Sequence, residues 1–183
     1  MPFHRALLSA ATCTLAIVVS FSSPARAGKD GTYCRTAETI VFSCDLGSHT
    51  LSLCASKDIG DGRGFLQYRF GHLDRVLTSY PAPGTKPADA FTVGTLMFAG
   101  GGGAWLRFQD QAIRYTLFNA IGKWNPKGGT AEVSGVVVEQ NGQPSVTMVC
   151  RDHIVGGFGS GFFEKAGLKA EGEFEIPEDA FPK

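Results

Sequence analysis

Apolar and polar residues alternate with a period of two over most of the chain beyond residue 38, the spacing of strands with one face buried. Leu66, Tyr68 and Phe70 alternate with Phe65, Gln67 and Arg69, and Ile113, Tyr115 and Leu117 alternate with Arg114, Thr116 and Phe118. Runs of this kind near 38–46, 49–56, 64–71, 74–80, 91–99, 104–109, 112–119, 132–140 and 144–150 are separated by Gly, Pro, Asn and Asp. Asp110-Gln111 and Asn141-Gly142 have the composition of hairpin turns. No helical period of useful length precedes residue 160, and no internal repeat suggests a propeller or solenoid. The pattern predicts an all-β fold, an antiparallel β-sandwich or a small closed β-barrel of about eight or nine strands with a short C-terminal tail.

The ends of the chain depart from this pattern. His4 and Arg5 precede an apolar run from Ala6 to Val19, followed by Pro24 and the small-residue site Ala25-Arg26-Ala27. That order is expected of a secretory signal peptide over 1–27, cleaved before Gly28. The run is shorter than the roughly 20 residues that span a bilayer. Cys13 lies inside it, without the context of a lipoprotein site. The β-domain is expected over 28–155, broken by the Pro-rich connector Tyr80–Pro87, which cannot belong to a central strand. Residues 156–183 read as a Gly-rich linker, a short amphipathic turn at Phe162–Lys169 and a mobile acidic tail holding Glu171, Glu173, Glu175, Glu178 and Asp179.

Composition narrows the partners. Lys and Arg number 17 and so do Asp and Glu, and no basic stripe is present, so nucleic acid is not an expected partner. With Arg5 and Arg26 removed the mature chain is slightly acidic, and with the leader gone no membrane attachment is expected. The 24 Gly and 14 Phe suit short strands, tight turns and an aromatic filling. The exported chain would be periplasmic or secreted.

Four cysteines remain after the leader: Cys34, Cys44, Cys54 and Cys150. An even number in an oxidising compartment predicts two disulfides. A two-residue turn at Gly47 and Ser48 sets Phe42 opposite Leu53 and Cys44 opposite Leu51, so that the apolar faces coincide and Cys54 points away from Cys44. Cys150 shares a face with Val146 and Met148. This register favours Cys44 with Cys150 and Cys34 with Cys54. A longer turn would shift it by one residue and permit Cys44 with Cys54.

Signatures of catalysis and cofactor binding are missing. The chain has no phosphate loop, no nucleophile elbow and no completed dinucleotide fingerprint, so no cofactor is expected. His49, His72 and His153 are far apart in sequence, lack zinc-site spacing and read as surface histidines. Asp58–Gly64 resembles a calcium loop but lacks its third oxygen ligand and terminal Glu. No metal site is expected.

Phe98–Phe108 draws the most notice, because four consecutive glycines, Gly100 to Gly103, lead into Trp105. One reading makes this an exposed loop able to approach a partner closely through Gly101, Gly102 and Gly103, with Trp105 as an amphipathic anchor. The other makes it a bulged hairpin or barrel corner with Trp105 packed on the core. The segments Thr39–Cys44, Leu51–Ser56 and Leu66–Gly71, with this hairpin, resemble a group of small secreted proteobacterial proteins. More distantly the chain is similar to the periplasmic I-type lysozyme inhibitors, which are β-sandwiches with a protruding loop carrying Ser-Gly-x-x-Tyr. That motif falls on Gly101, Gly102 and Trp105. Gly102 matches, Trp105 is aromatic in place of Tyr, and Gly101 lacks the hydroxyl.

The resemblance implies a binding protein that inhibits a cell-wall hydrolase of the lysozyme type. The alternatives are a small-ligand site inside a barrel and an envelope hydrolase using Asp58, Asp61 or Asp110.

Overall fold

The computed structural model describes residues 31–72 and 74–182; the signal peptide expected over 1–27 lies outside the described residues. Among the described residues eleven strands form two sheets. The first five are β1 (Glu38–Asp45), β2 (Thr50–Ser56), β3 (Leu66–His72), β4 (Arg75–Tyr80) and β5 (Thr92–Phe98). They are followed by β6 (Gly101–Asp110), β7 (Ile113–Gly122), β8 (Ala131–Gln140), β9 (Val146–Val149), β10 (Asp152–Gly156) and β11 (Lys169–Ala170). One sheet runs β10-β1-β2-β3-β4 and the other β11-β5-β6-β7-β8-β9. Neither closes on itself, so the fold is an all-β sandwich and the barrel alternative is excluded.

The space that a barrel would leave for a ligand is occupied by side chains. Phe42, Leu51, Leu53, Leu66 and Tyr68 from the first sheet meet Val93, Leu106, Phe108, Leu117 and Val136 from the second. Phe108 lies at its centre, 4.5 Å from the ring of Tyr80, 4.8 Å from Tyr115 and 4.9 Å from Tyr68. Burial pushes the Tyr68 phenol far above its ordinary pKa, so it stays neutral at any physiological pH. The helix α1 (Ser160–Ala166) closes one end of this layer with Phe163, beside Phe158.

The β1–β2 hairpin has the register that matched apolar faces demand: Phe42 faces Leu53, Cys44 faces Leu51, and Asp45 faces Thr50. The Leu46 amide donates to the His49 carbonyl, which leaves Gly47 and Ser48 as the turn. Cys44 bonds to Cys150 and Cys34 to Cys54. The first bond joins β1 to the end of β9, tying one sheet to the other. The second fastens residues 31–37 across the outer face of the first sheet. Both fit an oxidising, extracytoplasmic compartment, and no helix among the described residues is long and apolar enough to cross a membrane.

Each sheet also has its outer face covered by one end of the chain. On the first sheet the Tyr33 amide donates to Ser52 Oγ, which is 2.8 Å from Ser43 Oγ, and the Tyr33 hydroxyl donates to the His72 carbonyl. Beneath this strap Arg69 is 3% exposed. Its guanidinium donates to both Glu38 carboxylate oxygens at 2.7 Å, to the Tyr33 carbonyl at 2.7 Å and to Gln67 Oε1 at 2.9 Å. On the second sheet the acidic tail is packed down rather than mobile: Phe174, Ile176, Ala180 and Phe181 cover Trp105, Phe118, Ala120 and Val133. The tail keeps its glutamates in water by alternating them with buried residues, Glu173 and Glu175 outward, Phe174 and Ile176 inward.

Candidate partner-binding site

The glycine run is strand rather than loop. Ala99 and Gly100 make the turn between β5 and β6, with Gly100 at φ +81°, and Gly101 is already paired with Phe98. Glycine is required at two positions by close approach. A Cβ on Gly101 would lie 1.9 Å from the Ile121 carbonyl oxygen, and one on Gly103 would lie 2.3 Å from that of Asn119. A serine at 101, the position where the lysozyme-inhibitor motif carries its hydroxyl, would therefore collide with β7.

Trp105 is 2% exposed, which corrects its reading as an exposed anchor. Its position in β6 gives it the parity of Gly101 and Gly103, on the outer face under the C-terminal tail. The indole covers Gly94 on the neighbouring strand, where a Cβ would come within 2.5 Å of the ring. Phe174 lies 6.3 Å away, centroid to centroid. The Arg107 guanidinium sits 4.6 Å above the indole and also donates to the Glu173 carbonyl, so a cation–π contact and a backbone bond clamp the tail onto it. This was the packed alternative, and burial of a large amphipathic ring between a bare glycine and a tail phenylalanine is its physical reason.

Gly102 has the opposite parity and faces the interior side, but beyond the end of the core. Along that face of the second sheet, Val93, Ala104 and Leu117 are buried. The next row outward reads Met97, Gly102 and Ile121 across β5, β6 and β7. Met97 is 91% exposed and Ile121 51%. Nothing from the other sheet comes within 4 Å of a Cβ built on Gly102; only its own ladder neighbour, the Leu96 carbonyl, does. The second sheet thus extends beyond Asn119, whose side-chain amide donates to the carbonyl of Phe158 in the segment that follows β10. The projecting end bears two uncovered apolar side chains flanking a bare backbone.

Two grooves open on the outer sides of the sheets, and the second reaches Met97. One of about 510 Å³ opens on the outer side of β3 and β4, walled by Phe65, Val76, Pro81 and Pro83 above the Arg69–Glu38 pair. Burial opposes ionisation of Glu38, yet Arg69 and the Arg35 amide hold its carboxyl below the ordinary value. The second, of about 740 Å³, runs between β5 and residues 170–176.

The remaining candidates from the sequence are scattered. Asp58 lies in the exposed turn closed by the Ile59 amide on the Ser56 carbonyl and Asp61 in the next turn, closed by Gly60 and Arg63, whereas Asp110 stands at the β6–β7 hairpin, whose turn is Gln111-Ala112, one residue later than the sequence suggests. His49 and His72, distant in sequence, stack with ring centroids 4.4 Å apart. No third ligand joins them among the described residues. The one trio within metal-binding reach there, Cys34, Glu38 and Cys54, has both sulfurs in a disulfide. Comparison of the chain with family models, with curated proteins and with solved structures finds no match.

Proposed function

We propose that this protein is an exported binding protein that seats a protein partner on the projecting end of its second sheet. The carrying observation is the row Met97, Gly102 and Ile121 across three paired strands, with Met97 and Ile121 exposed and Gly102 half-buried between them. An apolar side chain that is 91% exposed gains by desolvation against a partner, and an open glycine between two such side chains lets the partner's backbone come close. Export is supported by the leader pattern and by the two disulfides. A cell-wall hydrolase is the partner class favoured by the resemblance to lysozyme inhibitors, with contact through Met97 and Ile121 rather than through the buried Trp105.

The test is affinity capture from envelope extract on immobilised mature protein, with the captured protein then purified and titrated. Ile121→Asp places a charge in the contact without touching the core, and is expected to weaken binding by about 2 kcal/mol or more with an unchanged melting temperature. Lysozymes of each class belong in the same titration as purified candidates. Equal retention of the captured protein by wild type and Ile121→Asp would remove this surface from consideration.

A further inference from the structure

A sheet edge that ends half covered is a template for one more strand. In β5 the Val93 carbonyl accepts from the Glu171 amide, so Val93 presents its backbone groups away from β6. By the alternation of an antiparallel ladder, Thr95 and Met97 do the same. The strand that covers this edge, β11, pairs only with Thr92 and Val93 and then leaves. From Thr95 onward the edge has no backbone partner among the described residues. The chain leaves it at Gly172 to cross the outer face, and the 740 Å³ groove opens in the lane that β11 vacates.

The chemistry of that lane is specific. Its floor on the outer side is apolar, formed by Leu96, Phe98 and Phe174, and its rim carries Glu171, Glu173 and Glu175. Side chains of an added strand would alternate between that groove and the Met97 side. We infer that the free edge of β5 takes up an extended, basic segment of a partner protein by strand addition, with lysines or arginines meeting the three glutamates and apolar residues alternating between them. A second copy of this chain is disfavoured as the occupant, because pairing β5 with itself brings two glutamate rims together. The inference deepens the reading of the β5–β6 end as the partner-binding end, and adds to it a backbone contact and a charge.

The probe is a fluorescein-labelled peptide of alternating lysine and valine, about eight residues long, titrated by anisotropy into the mature protein. Wild type is expected to bind it, with affinity falling as salt rises, and not to bind the glutamate–valine counterpart. Thr95→Pro removes an outward N–H that serves no ladder bond, a substitution that edge strands accommodate. It should weaken binding about tenfold or more. The triple variant Glu171→Gln, Glu173→Gln, Glu175→Gln should weaken it and flatten the salt dependence. A peptide N-methylated on alternate residues probes the same hydrogen bonds without altering the protein, and should fail to bind in one of its two registers.

The inference is overturned if wild type does not bind the lysine–valine peptide, or if both N-methylated registers bind as well as the parent. It is also overturned if sedimentation shows a dimer that Thr95→Pro dissolves, which would make the occupant a second copy. Ile121→Asp is read in the titration of the captured partner and Thr95→Pro in the titration of the peptide, so failure of the apolar row and failure of the edge are separate results.

Discussion

Trp105→Ala is expected to lower folding stability by about 3–5 kcal/mol, the usual cost of truncating a buried tryptophan, and the melting temperature by on the order of 10 °C for a chain of this size. Three losses combine. The transfer energy of the indole goes, a cavity opens over Gly94, and Phe174 and Arg107 lose the surface that holds the tail. The acidic tail should then become sensitive to protease, with cleavage first near Gly172–Glu175. Thermal unfolding and limited proteolysis read both effects. An unchanged melting temperature would mean that Trp105 is not the buttress of the outer face.

Glu38→Ala should cost a comparable amount, about 3–5 kcal/mol, because it leaves the Arg69 guanidinium buried without its counter-charge. The pH dependence has a definite sign. Glu38 has a folded-state pKa below its ordinary 4.5, so its contribution is fully present above that value and is lost as pH falls through the lower folded value. The stability gap between wild type and Glu38→Ala is therefore constant near neutrality and narrows only in acid, as pH falls below the ordinary 4.5. Denaturant midpoints measured at several pH values give the gap directly. A gap that widened in acid would contradict the pairing.

Much of the architecture was legible because strands with one buried face advertise themselves in alternate residues. The β1–β2 register followed from matching Phe42 with Leu53 and Cys44 with Leu51 across a two-residue turn at Gly47 and Ser48, and the structure has that turn in place of the longer one the sequence also permitted. With Cys44 on the inner face and Cys54 on the outer, the two disulfides go to opposite sides of the sheet. Glycine hid the rest. Gly101 to Gly103 have no side chains from which a period could be read, so three residues of β6 looked like loop, and Trp105 could be placed on neither face from its neighbours alone. The tail carried a signal that its charge obscured, since Phe174 and Ile176 alternate with Glu173 and Glu175 as a strand-like cover would.

The candidate site was less legible than the fold for a different reason. Exposure of Met97 and Ile121 depends on where the first sheet stops, which is a property of two sheets together and leaves no trace in either segment. The same holds for the free edge of β5, which exists because β11 is only two residues long. Arg69 and Glu38 are likewise polar residues on an outward strand face, and only the strap held by Cys34–Cys54 buries them.

Amide hydrogen exchange of the mature protein, alone and saturated with its captured partner, tests the central claim most directly. The account predicts slowed exchange at residues 95–103 and 119–123, with the Arg69–Glu38 groove of the first sheet unaffected. Protection confined to residues 79–85 and the strap at 31–38, with no change at the β5–β6 end, would contradict it and move the site to that groove.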